Sequence, residues 1–333
     1  MRKKLFYICL IFAVTYAKGQ NPQLTQFYAM PMYLNPAFTG QTYEHRFVAD
    51  IRDQWPGIST TYKTVAASYD YNIASANSGI GLMLLQDNSG TPSISTTLAM
   101  LSYAYHFKIS KFAEIRGGIQ LGYGYKSIDI SKLVLNDQLY SNKSTTVDPF
   151  VLNMNNHVNY MDINAGALLN SATYWLGFSA QHLNTPNTSF SQDGNNKEPI
   201  DFSLHGGYRF ITEKKGNQLM EYFSPTFNYK HENNFDQLDI GAYYFKAPLN
   251  LGLWYRGLPL KHYAPGYLNA DAVSFLIGVD VAKYDARIGF SYDITVSRLT
   301  VARSLGSFEL SVIYEVAKRS RKTKKVLISC PKF

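Results

Sequence analysis

Residue types capable of chemistry occur in this sequence, but their spacing assembles no catalytic motif. His231-Glu232 is followed by Phe235 where a metalloprotease helix would carry its second zinc-binding His. Gly177-Phe178-Ser179-Ala180 lacks the closing glycine of a nucleophile elbow. Gly122-Tyr123-Gly124 sits inside an alternating apolar run with no helix after it, so it is no phosphate loop. The seven histidines are scattered and none pair at ligand spacing. These patterns predict a chain that is not an enzyme and carries no metal and no cofactor.

The elements that would position side chains explain why. Residues 1–19 read as a secretory signal: Arg2, Lys3 and Lys4 precede the apolar run Leu5–Val14, and Ala17-Lys18-Gly19 offers small residues for cleavage. Cys9 lies within the apolar run with more apolar residues after it, which speaks against a lipid anchor there. Without the leader, Cys330 is the lone cysteine, so no intramolecular disulfide is expected. The full chain is rich in Tyr (26), Phe (20) and Gly (23), and after the leader it holds no apolar stretch long enough for a membrane helix.

Two-residue alternation runs almost throughout. In 283–297, Tyr284, Ala286, Ile288, Phe290, Tyr292, Ile294 and Val296 share one face, opposite Asp285, Arg287, Gly289, Ser291 and Asp293. Fourteen such runs can be marked: 43–51, 60–72, 78–87, 93–108, 112–127, 158–170, 172–185, 201–213, 218–231, 235–247, 249–258, 271–282, 283–298 and 307–318. The gaps after odd runs include 128–157, 186–200, 259–270 and 299–306, whereas every gap after an even run is five residues or fewer. That parity is expected of an outer-membrane barrel with long loops outside and tight turns in the periplasm. A soluble β-sandwich would bury the apolar face, and has less use for strands this long or aromatics this abundant. The expected fold is therefore an all-β, transmembrane antiparallel barrel of about fourteen strands, spanning 43–318. Both termini would be periplasmic, in the outer membrane of a Gram-negative bacterium.

Two segments lie outside that barrel. Residues 20–42, opening with "QNPQLTQFYAMPMYLNPAFTG", carry prolines that cannot enter a sheet interior. Tyr28, Tyr33 and Phe38 suit packing against a barrel wall, in a lumen too wide for its own side chains to fill. The segment is read as a plug or mouth cover, with a docking surface for a partner as the alternative. Residues 319–333 form a basic tail: "KRSRKTKK" at 318–325 has six basic residues in eight and Lys332 adds a seventh. With leader and tail set aside, 21 basic residues face 24 acidic ones, so the formal net charge of +8 belongs to the ends and implies no nucleic acid. The tail is either solvated or set against an anionic periplasmic surface such as peptidoglycan, lipid headgroups or an acidic secretion component. Asp285, Arg287, Asp293, Glu309 and Glu315 point inward from the last two strands, either as an ion-pair ladder or as a grip on a substrate domain.

Four stretches resemble the PorP/SprF family of Bacteroidetes outer-membrane proteins. They are "TQFYAMPMYLNPAFTG", with Asn35-Pro36-Ala37 and Gly40 kept and Met30-Pro31 replacing a first Asn-Pro; "IRDQWPG" at 51–57; "IGFSYDITVSRL…LGSFELSVIYE" at 288–315, with Phe308 where His is usual; and the terminal "CPKF". The resemblance implies an accessory of type IX secretion and gliding. Such a protein helps export or surface-anchor a large adhesin carrying a type B C-terminal domain; one member serves the secretion core instead. It also implies partner contacts, for which the candidates are Tyr28, Tyr33, Asn35, Pro36, Phe38, Arg52, Trp55, Arg287, Asp293, Arg319, Arg321, Lys322 and Phe333. A general diffusion porin is the rival reading.

Overall fold

A computed structural model describes residues 21–316 apart from 60, 91–93, 111–112, 133–137, 140–150, 152, 192–193, 216–217, 234 and 265–266. The leader, the basic tail and most of the 128–157 gap therefore lie outside the described residues.

Fifteen strands build one closed antiparallel sheet. They are β1 (His45–Gln54), β2 (Tyr62–Ile73), β3 (Ser78–Ser89), β4 (Ile94–Lys108), β5 (Ala113–Ser127), β6 (His157–Ser171), β7 (Tyr174–Gln181), β8 (Asp201–Tyr208), β9 (Phe210–Lys215), β10 (Gln218–Glu232), β11 (Phe235–Lys246), β12 (Leu249–Ala264), β13 (Tyr267–Val281), β14 (Ala286–Thr295) and β15 (Ser307–Val316). β8 and β9 both pair with β10 and are two halves of one stave, interrupted at Arg209. The barrel thus has fourteen staves, the number the alternation gives. β1 pairs with β15 from His45↔Val316 to Gln54↔Ser307, which closes the sheet.

Burial alternates residue by residue, as in the pattern iBeBeBeBii (intermediate, buried, exposed) of β1. The outward side chains are apolar. Tyr103, Tyr105, Phe107, Tyr174, Tyr244 and Tyr314 ring the tight-turn end, aliphatics such as Leu82, Leu101, Ile119 and Ile277 fill the middle, and Tyr123, Tyr125, Phe202 and Phe308 lie toward the other end. An aliphatic band between aromatic girdles is what a lipid bilayer selects. No helix among the described residues is long and apolar enough to cross a membrane.

Two sequence expectations need correction. The expected loop 259–270 is mostly strand: β12 runs to Ala264 and β13 starts at Tyr267. Register shifts at Arg256/Gly257, Leu258/His262 and His262/Ala264 erase the two-residue period there, and Gly257 sits at φ +141. Asp285 does not face the lumen. It is an exposed turn residue at φ 50, after the 3₁₀ turn Ala282–Tyr284, so β14 begins only at Ala286.

A filled lumen as the candidate functional site

The interior of the barrel is occupied by the chain's own first described residues. Leu24 to Thr42 is buried almost without break, although it precedes the first strand. Its local structure comes from its prolines. Pro31 opens a single helical turn, α1 (Pro31–Leu34), and Pro36 opens a 3₁₀ turn, Pro36–Phe38; proline tolerates a first helical position because it has no N–H to lose. Asn35 joins the two, its Oδ1 accepting from the Ala37 amide at 2.8 Å.

Three sets of wall residues hold the segment. At the long-loop half, the Glu309 carboxylate accepts the Thr25 and Gln26 amides, both at 2.7 Å. Arg52, 1% exposed, donates to Asp293 at 2.7 Å, to Glu309 at 2.9 Å and to the Thr25 hydroxyl at 2.6 Å. Arg256 joins this cluster from β12, pairing with Asp239 at 3.2 Å and Asp293 at 3.4 Å. In mid-lumen, the Asn35 amide donates to the Ala167 and Phe178 carbonyls at 3.1 Å each. Arg116 donates to the Ala37 carbonyl at 2.9 Å and the Thr39 carbonyl at 2.7 Å. At the tight-turn rim, Asp70 binds Arg46 at 2.8 Å and accepts the Gly40 amide at 2.8 Å.

Glycines in the wall make room for this. A Cβ on Gly118 would lie 2.4 Å from the Ala37 nitrogen, and one on Gly166 would lie 2.0 Å from Asn35 Oδ1. On β7, β8 and β12 the fit is aromatic: Phe27 meets Trp254 edge-on at 5.0 Å, Tyr28 meets Trp175 at 6.1 Å, and Phe38 stacks on His205 at 5.6 Å.

The segment also has a direction. Asn21 bonds to Asp201 at 2.8 Å and to the His182 ring at 3.0 Å, both beside the 182–200 loop. Gly40 packs against Gly79 at the tight-turn rim, where β1 begins. The segment therefore traverses the lumen from the long-loop half to the tight-turn rim.

The sequence-derived candidates fall into four groups. Tyr28, Asn35, Pro36, Phe38, Arg52 and Asp293 are buried and engaged with one another or the wall. Tyr33 is half-buried, with its hydroxyl on the Pro22 carbonyl. Trp55 and Arg287 stand apart: Trp55 is half-buried at φ 59 beside Gly306 and Tyr62, and Arg287 pairs with Asp280. Arg319, Arg321, Lys322 and Phe333 lie outside the described residues. Of the inward charges, Asp293 and Glu309 hold the chain's own segment and Glu315 accepts from Thr42 at 3.2 Å. Arg116 and Asp70 escaped sequence reasoning. Their inward phase was visible in the alternation, but the backbone atoms they bind are 77 and 30 residues away. Ser179, the residue of the incomplete elbow, donates to the Leu34 carbonyl at 3.0 Å. Among the described residues no three His, Cys, Asp or Glu side chains gather as a metal site.

Solved structures superpose with low scores. The CymD monoaromatic hydrocarbon channel superposes with a TM-score of 0.50 at 11% identity, covering 88% of this chain and 94% of its own. The Pseudomonas putida toluene transporter TodX gives 0.49 at 11%, with the same coverage. Omp33 of Acinetobacter baumannii gives 0.44 at 8%, covering 84% of this chain and 100% of its own. At such identities the likeness concerns the fold alone. Comparison with curated proteins gives no match. The profile of the type IX secretion system membrane protein PorP/SprF matches residues 17–314, nearly the whole chain, so this protein belongs to the PorP/SprF family.

Proposed function

We propose that this protein is a non-catalytic outer-membrane barrel that helps export and surface-anchor a large adhesin with a type B C-terminal domain. The observation that carries this reading is the filled lumen: a general diffusion porin needs an open bore, whereas here Leu24 to Thr42 is strapped across it from three sides. The segment 20–42 acts as a plug, the long-loop end faces the medium, and the tight-turn end faces the periplasm. The basic tail, with Arg319, Arg321, Lys322 and Phe333, meets a type IX or peptidoglycan-associated component there, and Trp55 and Arg287 remain candidate contacts.

Two measurements test the reading. Deleting the gene should remove the adhesin from the cell surface while leaving other type IX cargo in place; loss of all cargo would instead make this a core secretion component. The purified barrel should conduct poorly in planar bilayers, and porin-like conductance would reject the plug.

A further inference from the structure

The wall keeps a free edge at the tight-turn rim. β9 pairs with β10 on one side, and among the described residues no strand pairs with its other side. β7 would be its neighbour there, but β7 reaches no further than Tyr174, opposite Tyr208 of β8. Tyr208 and Phe210 still belong to the outward aromatic girdle. Beyond them Thr212, Glu213 and Lys214 are all exposed, so water reaches both faces of this stretch. An unpaired row of backbone N–H and C=O groups is a template for one more strand. The charges on β9, and register shifts opposite it between Leu219 and Tyr222, disfavour a strand arriving from solution. A strand tethered to the barrel starts from an effective concentration on the order of millimolar, which offsets that disadvantage.

We propose that the chain's own tail supplies the missing strand, with Val326-Leu327-Ile328-Ser329-Cys330 laid along the free edge of β9. These residues favour extended backbone, and Pro331 ends the run because it has no ladder N–H to give. Lys324 and Lys325, just before them, are opposite in charge to Glu213. The tail leaves the barrel after Val316, at the same rim as β9. β15 and β9 stand six staves apart in the ring, almost diametrically opposed. With strands about 4.8 Å apart and tilted about 40°, that is about 27 Å across the mouth. Residues 317–325, at about 3.3 Å each, reach at most about 30 Å, so the tail just spans the gap. The basic run is thereby drawn nearly taut across the periplasmic mouth, where it presents its charge to an anionic partner. This pairing holds whatever the cargo of the barrel.

Cys330 supplies the probe. In the full-length chain, Thr212→Cys, Glu213→Cys and Lys214→Cys are each treated with a mild thiol oxidant in cells. Lys108→Cys, on the exposed rim end of β4, is the control; it is four staves from β15, nearer than β9. The expected result is a disulfide to Cys330 that forms about tenfold faster from β9 than from position 108. Val326→Pro with Ile328→Pro, which removes two ladder N–H groups, should abolish the difference. Equal rates at the two strands overturn the proposal and make the tail a solvated one. A heavier adduct to another protein in place of the internal disulfide overturns it too, giving the edge or the tail to a partner. Should the cysteine variants fail to insert, hydrogen exchange of the unsubstituted barrel decides. In a chain ending at Lys325, the β9 amides not bonded to β10 should exchange about tenfold faster than in the full chain, and equal exchange overturns the pairing.

Discussion

Gly118→Val isolates the contact between the internal segment and the wall. Gly118 is an interior residue of β5, paired with Ala104 on one side and Gly166 on the other. A β-branched residue suits a strand, so the barrel itself should accept the change. The segment cannot: a Cβ there would sit 2.4 Å from both Ala37 N and Pro36 C. These are backbone atoms, so the whole 36–39 turn must lift. Lifting it breaks the two Arg116 bonds to Ala37 and Thr39. Hydrogen bonds from charged groups contribute about 1.5–3 kcal/mol each, about 3–6 kcal/mol for the pair. At 1.4 kcal/mol per decade, even the lower figure shifts the closed-to-open ratio about a hundredfold. The assay is planar-bilayer conductance of the purified barrel, alongside proteolysis of residues 21–42. The neighbouring Gly117 is the control, because nothing lies within 4 Å of its added Cβ and it faces outward. Gly118→Val should conduct and expose the segment; Gly117→Val should do neither. If Gly118→Val stays closed and protected, contact with β5 does not hold the segment and the reasoning fails.

The same geometry carries other expectations. Arg52→Met leaves Asp293 and Glu309 buried without their main counter-ion, which should cost about 3–5 kcal/mol and lower the midpoint at which the barrel loses its heat-modifiable gel mobility; an unchanged midpoint would show that Arg256 suffices. Burial pulls the His182 imidazole down in pKa, but the hydrogen bond and charge of Asp162, with Asp201 and Glu198 beyond, outweigh it and leave it raised. A raised value means stabilisation that is full below His182's ordinary value of about 6.5 and lost as pH rises through the raised one, so the protection of the Asn21 and Gln23 amides, taken as exchange relative to the intrinsic base-catalysed rate, should fall on going alkaline. His182→Gln should abolish that pH dependence. Protease added to intact cells should cut within 182–200 and spare the strands; cleavage only after the outer membrane is breached would invert the proposed topology. Truncation after Val316 should leave an inserted barrel but lose surface adhesin, and normal display would make the tail dispensable.

The stave count was legible because lipid and lumen select opposite faces, and that contrast writes a period of two into every strand. It failed where the backbone departs from the period: the bulges after Arg256 hid the ends of β12 and β13, and the left-handed Asp285 posed as a strand residue. Asp293 and Glu309 were legible as inward-facing, whereas Arg52 lay just past the expected first strand, 43–51. Their mutual contact was not, because Arg52 and Asp293 are 241 residues apart. The traverse of the internal segment was equally hidden: its prolines say only that it avoids the sheet, while its direction depends on tertiary partners such as Asp201, 180 residues from Asn21.

Those long separations place the ion cluster at a particular point of the architecture. β1 and β15 are the first and last strands among the described residues, and their pairing is what turns a sheet into a barrel. Arg52 stands on β1, directly across that seam from Glu309 on β15, and Asp293 lies on the next strand. The same carboxylates take the Thr25 amide and hydroxyl. One cluster therefore binds both lips of the seam and the leading half of the internal segment. Closing a loop between ends this distant costs chain entropy that nothing offsets until the contacts form together. A barrel that closed without its segment would keep the Arg52 ion pairs but leave the Glu309 and Asp293 carboxylates without the Thr25 and Gln26 donors. Closure and filling thus stabilise each other, and the arrangement favours a barrel that is sealed when it is complete over one that closes empty and is stoppered later.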